Sequence, residues 1–210
     1  MGASVSAGFG GTPFGEAFSK AAPRSVVDAA ANTFLFRDPI GETRLQLDRA
    51  TRFAPTTLFA VDLLFWQVYG KPDLAGLDTA LAELAKVHAT GAWIVLGDIP
   101  LITNASELML PRSAIPDAAL LGAANQKIAT WSQRERVLLV PLAEWTAPLR
   151  ENGEVEIAPG EKVPAGSLMS LDGLHANPLG TWYLLDRLDR FIEDKLPGTP
   201  KQALVFVRPR

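Results

Sequence analysis

Two short segments of the chain hold the residue types that acyl-transfer chemistry needs. Near the amino terminus, Ser4 stands among small residues, Gly-Ala-Ser-Val-Ser-Ala-Gly, which allow a tight turn and an exposed hydroxyl. Near the other end, Asp172 and His175 have an Asp-x-x-His spacing. In a turn of that spacing the carboxylate can reach Nδ1 of the imidazole and leave Nε2 free to take a proton from a serine. The two segments therefore predict a nucleophile, a general base and an acid that orients the base.

Each segment also has a plainer interpretation. A Gly/Ala/Ser-rich amino terminus is typical of a mobile tail, and an Asp-x-x-His spacing arises in structural turns by chance. The other histidine, His88, ends a helical pattern beside Val87 and fits a solvent-facing or helix-terminal position. The chemical interpretation depends on Ser4 and His175 occurring together.

The composition limits the classes of protein to which the chain can belong. Its 210 residues are 48% hydrophobic and 20% charged, which fits a single globular domain over residues 1–210. A formal charge of −3 gives no strong field to hold nucleic acid or an anionic membrane. Without cysteine, thiol nucleophiles and thiolate metal sites are excluded, and two histidines leave only carboxylate metal sites.

The sequence predicts no membrane span and no targeting segment. The longest apolar runs reach about half of the ~20 residues that a bilayer requires. The first residues lack both a basic start and a long apolar segment, so no signal peptide is visible and the compartment stays open. The glycines between Gly8 and Gly15 are followed by no Gly-Lys-Ser/Thr, which argues against a phosphate loop.

Strand and helix patterns alternate along the chain. Three apolar runs predict buried strands: Leu58–Leu64, Trp93–Leu96 and Val137–Leu142. Helical spacing lies between these runs, at Leu77–His88 and at Ala118–Trp131. This order favours a parallel sheet with helices on both faces.

Three further features are predicted towards the carboxyl terminus. A helix begins with Asn177 as its cap and Pro178 in its first position, and Pro197-Gly198 stop it. The polar stretch Glu151–Ser167 predicts a surface excursion with a small hairpin around Asn152-Gly153. The apolar run Ala203–Val207 predicts one more strand.

Taken together, the two chemical segments resemble those of the SGNH hydrolases, also called the GDSL esterase/lipase family. Gly2 to Gly8 resembles the family's nucleophile block, and Asp172 to His175 resembles its Asp-x-x-His block. The resemblance implies a three-layer α/β/α sandwich with a mainly parallel, flavodoxin-like sheet. It also implies ester hydrolysis through an acyl-serine intermediate, with Ser4 as nucleophile, His175 as base and then acid, and Asp172 as the orienting group.

The middle of the family pattern is less well matched. Gly41 stands where the resemblance implies a glycine N–H for the oxyanion, and Ala3 replaces the aspartate of the GDSL motif. The family asparagine of the third block is replaced by Val61 or Asp62, neither of which is a good donor. Asn104 is a candidate substitute, with an ordinary loop asparagine as the alternative. The aromatic residues after this block (Phe65, Trp66 and Tyr69) fit either an acyl pocket or the core.

The sequence thus predicts a serine ester hydrolase acting on a small acyl ester, with no cofactor, no nucleic acid partner and an open oligomeric state. The alternative is a non-catalytic domain of the same type, either a binding domain or a remnant. The family's first strand normally runs into the nucleophile block, and only Met1 and Gly2 precede Ala3 here. Two explanations stay open: the chain has lost its start, or Ala203–Val207 pairs with the sheet beside Ser4.

Overall fold

The computed structural model describes residues 1–70, 73–196 and 204–209 and shows a mixed α/β fold. Its helices within those residues are α1 Phe14–Ala21, α2 Pro39–Phe53, α3 Ala75–His88, α4 Ala118–Trp131, α5 Leu142–Trp145, α6 Ala147–Arg150 and α7 Pro178–Lys195. The strands are β1 Thr57–Ala60, β2 Trp93–Gly97, β3 Val137–Val140, β4 Glu154–Ala158 and β5 Glu161–Pro164. Short 3-10 turns occupy Leu35–Arg37, Phe65–Gln67, Arg112–Ala114 and Ala165–Leu168. In the described part of the chain, no helix combines the length and hydropathy of a bilayer span.

The first three strands form a parallel sheet in the order β1-β2-β3. Successive strand residues point to opposite faces, so each face has its own core. Leu58 and Leu96 pack with α2, α3 and α4 on one face. Val95 and Val140 pack with α1, α5 and α7 on the other. The carboxyl ends of the strands consequently meet at one edge, where ligand sites of open α/β sheets form.

The predicted helices are confirmed, and two of the three predicted strands are shorter than expected: β1 ends at Ala60 and β3 at Val140, while β2 runs one residue further, to Gly97. Helices α3 and α4 cover the expected residues, and α7 begins at Pro178 with Asn177 as its cap, accepting from the N–H of Gly180 at 3.0 Å. The run Leu58–Leu64 leaves the sheet at Ala60. Its last apolar residues are buried in a turn rather than a strand, because the chain folds over Gly97. A Cβ on Gly97 would lie 2.0 Å from the Val61 carbonyl oxygen, so only glycine admits this crossing.

The predicted hairpin exists, but its turn was wrongly placed. Strands β4 and β5 are antiparallel and are joined at Pro159-Gly160, where Gly160 has a φ of +77°. Asn152-Gly153 lies before β4 instead. The hairpin and the turn after it form a third, small hydrophobic core of Val155, Ile157, Ala165 and Leu168.

The predicted strand Ala203–Val207 is not formed in its described part. Residues 204–209 have no strand pairing, and Ala203, like Pro197-Gly198, lies outside the described residues. The backbone carbonyl of Phe206 accepts from the Trp182 indole at 3.0 Å, and its ring lies 5.6 Å from that of Phe18. This segment therefore covers the core on the α7 side and does not extend the sheet beside Ser4.

Candidate active site

Ser4 lies in a single tight turn near the end of strand β1. The turn is closed by hydrogen bonds from the Ala7 N–H to the Ala3 carbonyl at 3.0 Å and from the Phe9 N–H to the Ser4 carbonyl at 2.9 Å. Gly2 has a φ of +147°, and a Cβ there would lie 2.0 Å from an Asp62 carboxylate oxygen. Glycine at position 2 is thus required by the close approach of the backbone to Asp62.

Asp62 holds this turn in place from behind. Its Oδ1 accepts from the Ala3 N–H at 3.0 Å and from the Ser6 hydroxyl at 2.5 Å. Its Oδ2 accepts from the N–H groups of Val5 and Ser6, at 3.0 and 3.1 Å. Hydrogen bonds to a charged acceptor are the strong ones in proteins. The sequence suggested Asp62 at the oxyanion position, and the geometry instead makes it an acceptor that fixes the nucleophile turn.

Ser4, His175 and Asp172 form a continuous hydrogen-bonded chain. The Ser4 Oγ lies 2.9 Å from Nε2 of His175, and Nδ1 of His175 lies 2.7 Å from Oδ2 of Asp172. An ionised carboxylate only accepts, so Nδ1 carries the ring proton and Nε2 accepts from the serine hydroxyl. Ser4 and His175 are buried, at 8% and 3% exposure. This is the arrangement in which an imidazole can take the proton of a serine nucleophile.

The Asp172 carboxylate is kept ionised by its surroundings. Burial raises its pKa, but the His175 ring and the backbone N–H groups of His175 and Leu174 outweigh burial, so the pKa of Asp172 lies below its ordinary value. Those N–H groups donate to Oδ1 at 3.0 and 2.9 Å, which leaves Oδ2 for the imidazole. Oδ1 therefore holds the backbone of the loop, and Oδ2 holds the imidazole ring.

The loop that bears Asp172 and His175 is itself fastened to its neighbours. The Ser170 N–H donates to the His175 carbonyl at 2.7 Å, and the Ser106 N–H donates to the Asp172 carbonyl at 2.8 Å. Gly173 has a φ of +67°, and a Cβ there would lie 2.2 Å from the Asn104 carbonyl oxygen. Directly after the loop, the cap of α7 fixes the direction in which the chain leaves.

The other two sequence candidates lie away from Ser4. The Gly41 N–H is in the first turn of α2 and donates to the capping side chain of Asp38 at 3.0 Å. The Asn104 amide is exposed and donates to the Leu149 carbonyl at 2.8 Å. Neither group is placed to receive an oxyanion on Ser4. In the described part of the chain, the Ser4 N–H has no hydrogen-bond acceptor, whereas the neighbouring N–H groups of Ala3 and Val5 donate to Asp62.

A cavity of about 160 Å³ opens beside Ser4 and His175. One wall is apolar and buried, and it consists of Leu142, Trp145, Val155 and Leu168. Asp98, at the carboxyl end of β2, also borders the cavity. Burial raises the pKa of Asp98, and its carboxylate accepts from the Ala143 N–H at 2.7 Å.

The aromatic residues after β1 divide between site and core. Phe65 and Trp66 line the cavity. Tyr69 is buried, and its hydroxyl donates to the Pro100 carbonyl and accepts from the Ile102 N–H. No sequence pattern points to Phe9, whose ring centroid lies 4.4 Å from that of His175. His88 lies outside the site and contacts the Glu135 carbonyl.

Within the described residues, no group of three His, Cys, Asp or Glu side chains is arranged to hold a metal ion. Comparison of the chain with protein-family models, with curated proteins and with solved structures finds no match.

Proposed function

We propose that this protein is a serine ester hydrolase that acts through an acyl-serine intermediate. The observation that carries the proposal is the chain of hydrogen bonds from Ser4 through His175 to Asp172, at 2.9 and 2.7 Å. The chain borders an apolar cavity able to hold an acyl group. Two segments 171 residues apart supply these groups, so local turn structure alone does not account for their meeting.

The reaction divides into two steps. In the first, the Ser4 Oγ attacks the ester carbonyl carbon while Nε2 of His175 takes the hydroxyl proton, and the same proton then passes to the departing alcohol oxygen. In the second, His175 takes a proton from water, the resulting hydroxide attacks the acyl-serine, and the proton returns to the Ser4 Oγ as the acid leaves. Asp172 stabilises the imidazolium that forms in each step.

The oxyanion of the tetrahedral intermediate has one evident donor, the Ser4 N–H. A side-chain amide in such a site contributes roughly 3 kcal/mol, or a factor of about a hundred in rate. No such amide borders the cavity among the described residues. We therefore expect a slow enzyme compared with one that has a complete set of donors.

The proposal includes the finer description of the fold. The resemblance to the SGNH hydrolases implies a three-layer α/β/α sandwich of flavodoxin-like type. The two separate cores on the faces of the β1-β2-β3 sheet support that arrangement.

One observation favours a second candidate function, a non-catalytic domain that binds an apolar ligand. A site that no longer catalyses a reaction would also be expected to lack this side-chain amide. In that case the cavity beside Ser4 would hold its ligand without a chemical step.

An active-serine phosphonate probe separates the two functions. Attack by an activated Ser4 Oγ displaces the fluoride of a fluorophosphonate and leaves the probe bound to the protein. We expect the probe to label the natural sequence and not to label Ser4→Ala. Ser132→Ala is the matched control, because Ser132 lies at the end of α4, and it should be labelled like the natural sequence. The natural sequence and Ser132→Ala should also hydrolyse p-nitrophenyl butyrate, and Ser4→Ala should not. A folded protein that neither labels nor hydrolyses the ester would instead support the binding domain.

A further inference from the structure

A continuous row of aromatic side chains leads from the cavity to the protein surface. We call Phe34, Phe36, Trp66 and Phe65 the aromatic strip. Its ring centroids are 6.3 Å apart between Phe34 and Phe36, 5.6 Å between Phe36 and Trp66, and 5.1 Å between Trp66 and Phe65. At these separations, neighbouring rings are in contact.

The strip changes from buried to exposed along its length. Phe65 and Trp66 line the cavity together with Ser4 and are partly buried. Phe36 and Phe34 are 47% and 54% exposed. The guanidinium of Arg37 lies 4.8 Å from the centre of the Phe34 ring and caps the outer end. Large exposed rings in a row that continues into a cavity indicate a binding surface.

Another part of the cavity lining is buried. Leu142, Trp145, Val155 and Leu168 are each at most 9% exposed, so a group packed against them is removed from solvent. The acyl and alcohol halves of an ester differ in whether they must reach solvent after the first step. The acyl group stays on Ser4 until water removes it, whereas the alcohol must leave after the first step.

We infer that the aromatic strip binds the alcohol portion of the ester, and that this portion is apolar and large enough to cover at least one ring. The inference rests on the proposed function, since it assigns the leaving side of the same site. The buried wall then receives the acyl group. The substrate class is an ester with an apolar group on both sides of the carboxyl, such as an aryl or long-chain alkyl ester of a short fatty acid.

Two butyrate esters with different alcohols test the assignment. We expect Phe36→Ala to lower kcat/KM for 2-naphthyl butyrate about fivefold, the effect of losing one ring contact, and to leave methyl butyrate within twofold of the natural protein. Each ester is compared with itself across variants, so the different leaving-group reactivities cancel. Phe53→Ala is the matched control, because Phe53 is an exposed phenylalanine at the end of α2 that lies outside the strip. It should change neither ester.

Three kinetic results would overturn the assignment. An equal loss on both esters would mean a structural role for Phe36. A loss that appears only above the critical micelle concentration of the ester would mean adsorption to an aggregate surface. A change in Phe36→Ala of the ratio of kcat/KM between the acetate and octanoate esters of one alcohol would place the acyl group on the strip.

A binding measurement separates failure of this inference from failure of the proposed function. Titration of 2-naphthol into Ser4→Ala requires no turnover, and Phe36→Ala added to that variant should weaken binding about fivefold. If the protein hydrolyses no ester and this weakening is still observed, the strip binds apolar alcohols and the proposed hydrolase is wrong. Unchanged naphthol affinity would refute the strip even in an active enzyme.

Discussion

Replacement of Asp62 tests how the nucleophile turn is held. Its carboxylate accepts three backbone N–H groups and one hydroxyl from residues 3–6. A hydrogen bond to a charged group contributes about 1.5–3 kcal/mol, and the lower figure applies to a carboxyl that is only partly buried. Asp62→Ala leaves the three N–H groups without their acceptor, so we expect the free energy of unfolding to fall by about 4.5 kcal/mol.

Asp62→Asn should cost less, for a reason that the contacts make explicit. The amide oxygen can keep the two N–H groups on the Oδ2 side, those of Val5 and Ser6. The amide nitrogen then faces the Ala3 N–H, which loses its acceptor, and the Ser6 hydroxyl, which can rotate to accept. We expect a loss of about 2 kcal/mol in the free energy of unfolding.

Urea unfolding followed by tryptophan fluorescence measures both changes, and p-nitrophenyl butyrate hydrolysis measures whether Ser4 stays in place. A shift of a nucleophile by about 1 Å costs about a hundredfold in rate, so kcat should fall in Asp62→Ala at temperatures where the variant is folded. Asp48→Asn, an exposed carboxyl on α2, is the charge control. If Asp62→Ala unfolds within 1 kcal/mol of the natural protein and keeps its activity, the turn is held by other contacts.

Three further predictions concern the loop, α7 and the last residues. The pKa of Asp172 is depressed in the fold, so the ionised carboxylate stabilises the protein at pH values above its ordinary pKa of 3.8, and this contribution is lost as the pH falls through the folded pKa. Asp172→Ala should abolish that part of the acid dependence of stability, and it should lower kcat less than His175→Ala does. Burial first, and then the charge of Glu193, raise the pKa of Asp189 to about 6. This carboxyl therefore destabilises the fold increasingly as the pH rises from about 3.8 through 6. Asp189→Asn should raise the melting temperature at pH 7 and have no effect below pH 3.8. Phe206→Ala should lower the free energy of unfolding by about 2 kcal/mol while kcat on p-nitrophenyl butyrate is retained, because its ring contacts the core on the α7 side; a fall in kcat at unchanged stability would contradict this placement.

The residues of the chemical chain could be predicted from the sequence because each belongs to a short, local pattern. Asp172 and His175 are three residues apart, and the Asn177 cap that follows them fixes where α7 begins. Ser4 was identified by the small residues around it. That the two segments meet is a tertiary fact, and only the resemblance to a known family suggested it.

Other features depend on contacts that no local pattern reveals. The apolar run after β1 indicated a strand up to Leu64, but burial in a turn selects the same residue types as burial in a sheet. Asp62 was assigned by its place in a family block, whereas its role follows from N–H groups more than fifty residues away. Gly41 was assigned in the same way, and the capping side chain of Asp38 takes its N–H.

The β4–β5 hairpin has a consequence for how the specificity of this protein can change. It carries its own small core, separate from the two that cover the sheet, and Val155 on β4 together with Leu168 just after β5 forms part of the buried cavity wall. Within the described residues, Val155 makes no hydrogen bond to the Ser4 turn, whereas the Ser167 and Leu168 carbonyls accept hydrogen bonds from Asn177, the cap of α7. Insertions at Pro159-Gly160, or substitutions in β4 and β5, would therefore reshape the space for the acyl group without removing the bonds that hold the start of α7. Directed evolution of acyl-chain preference should begin in residues 154–164.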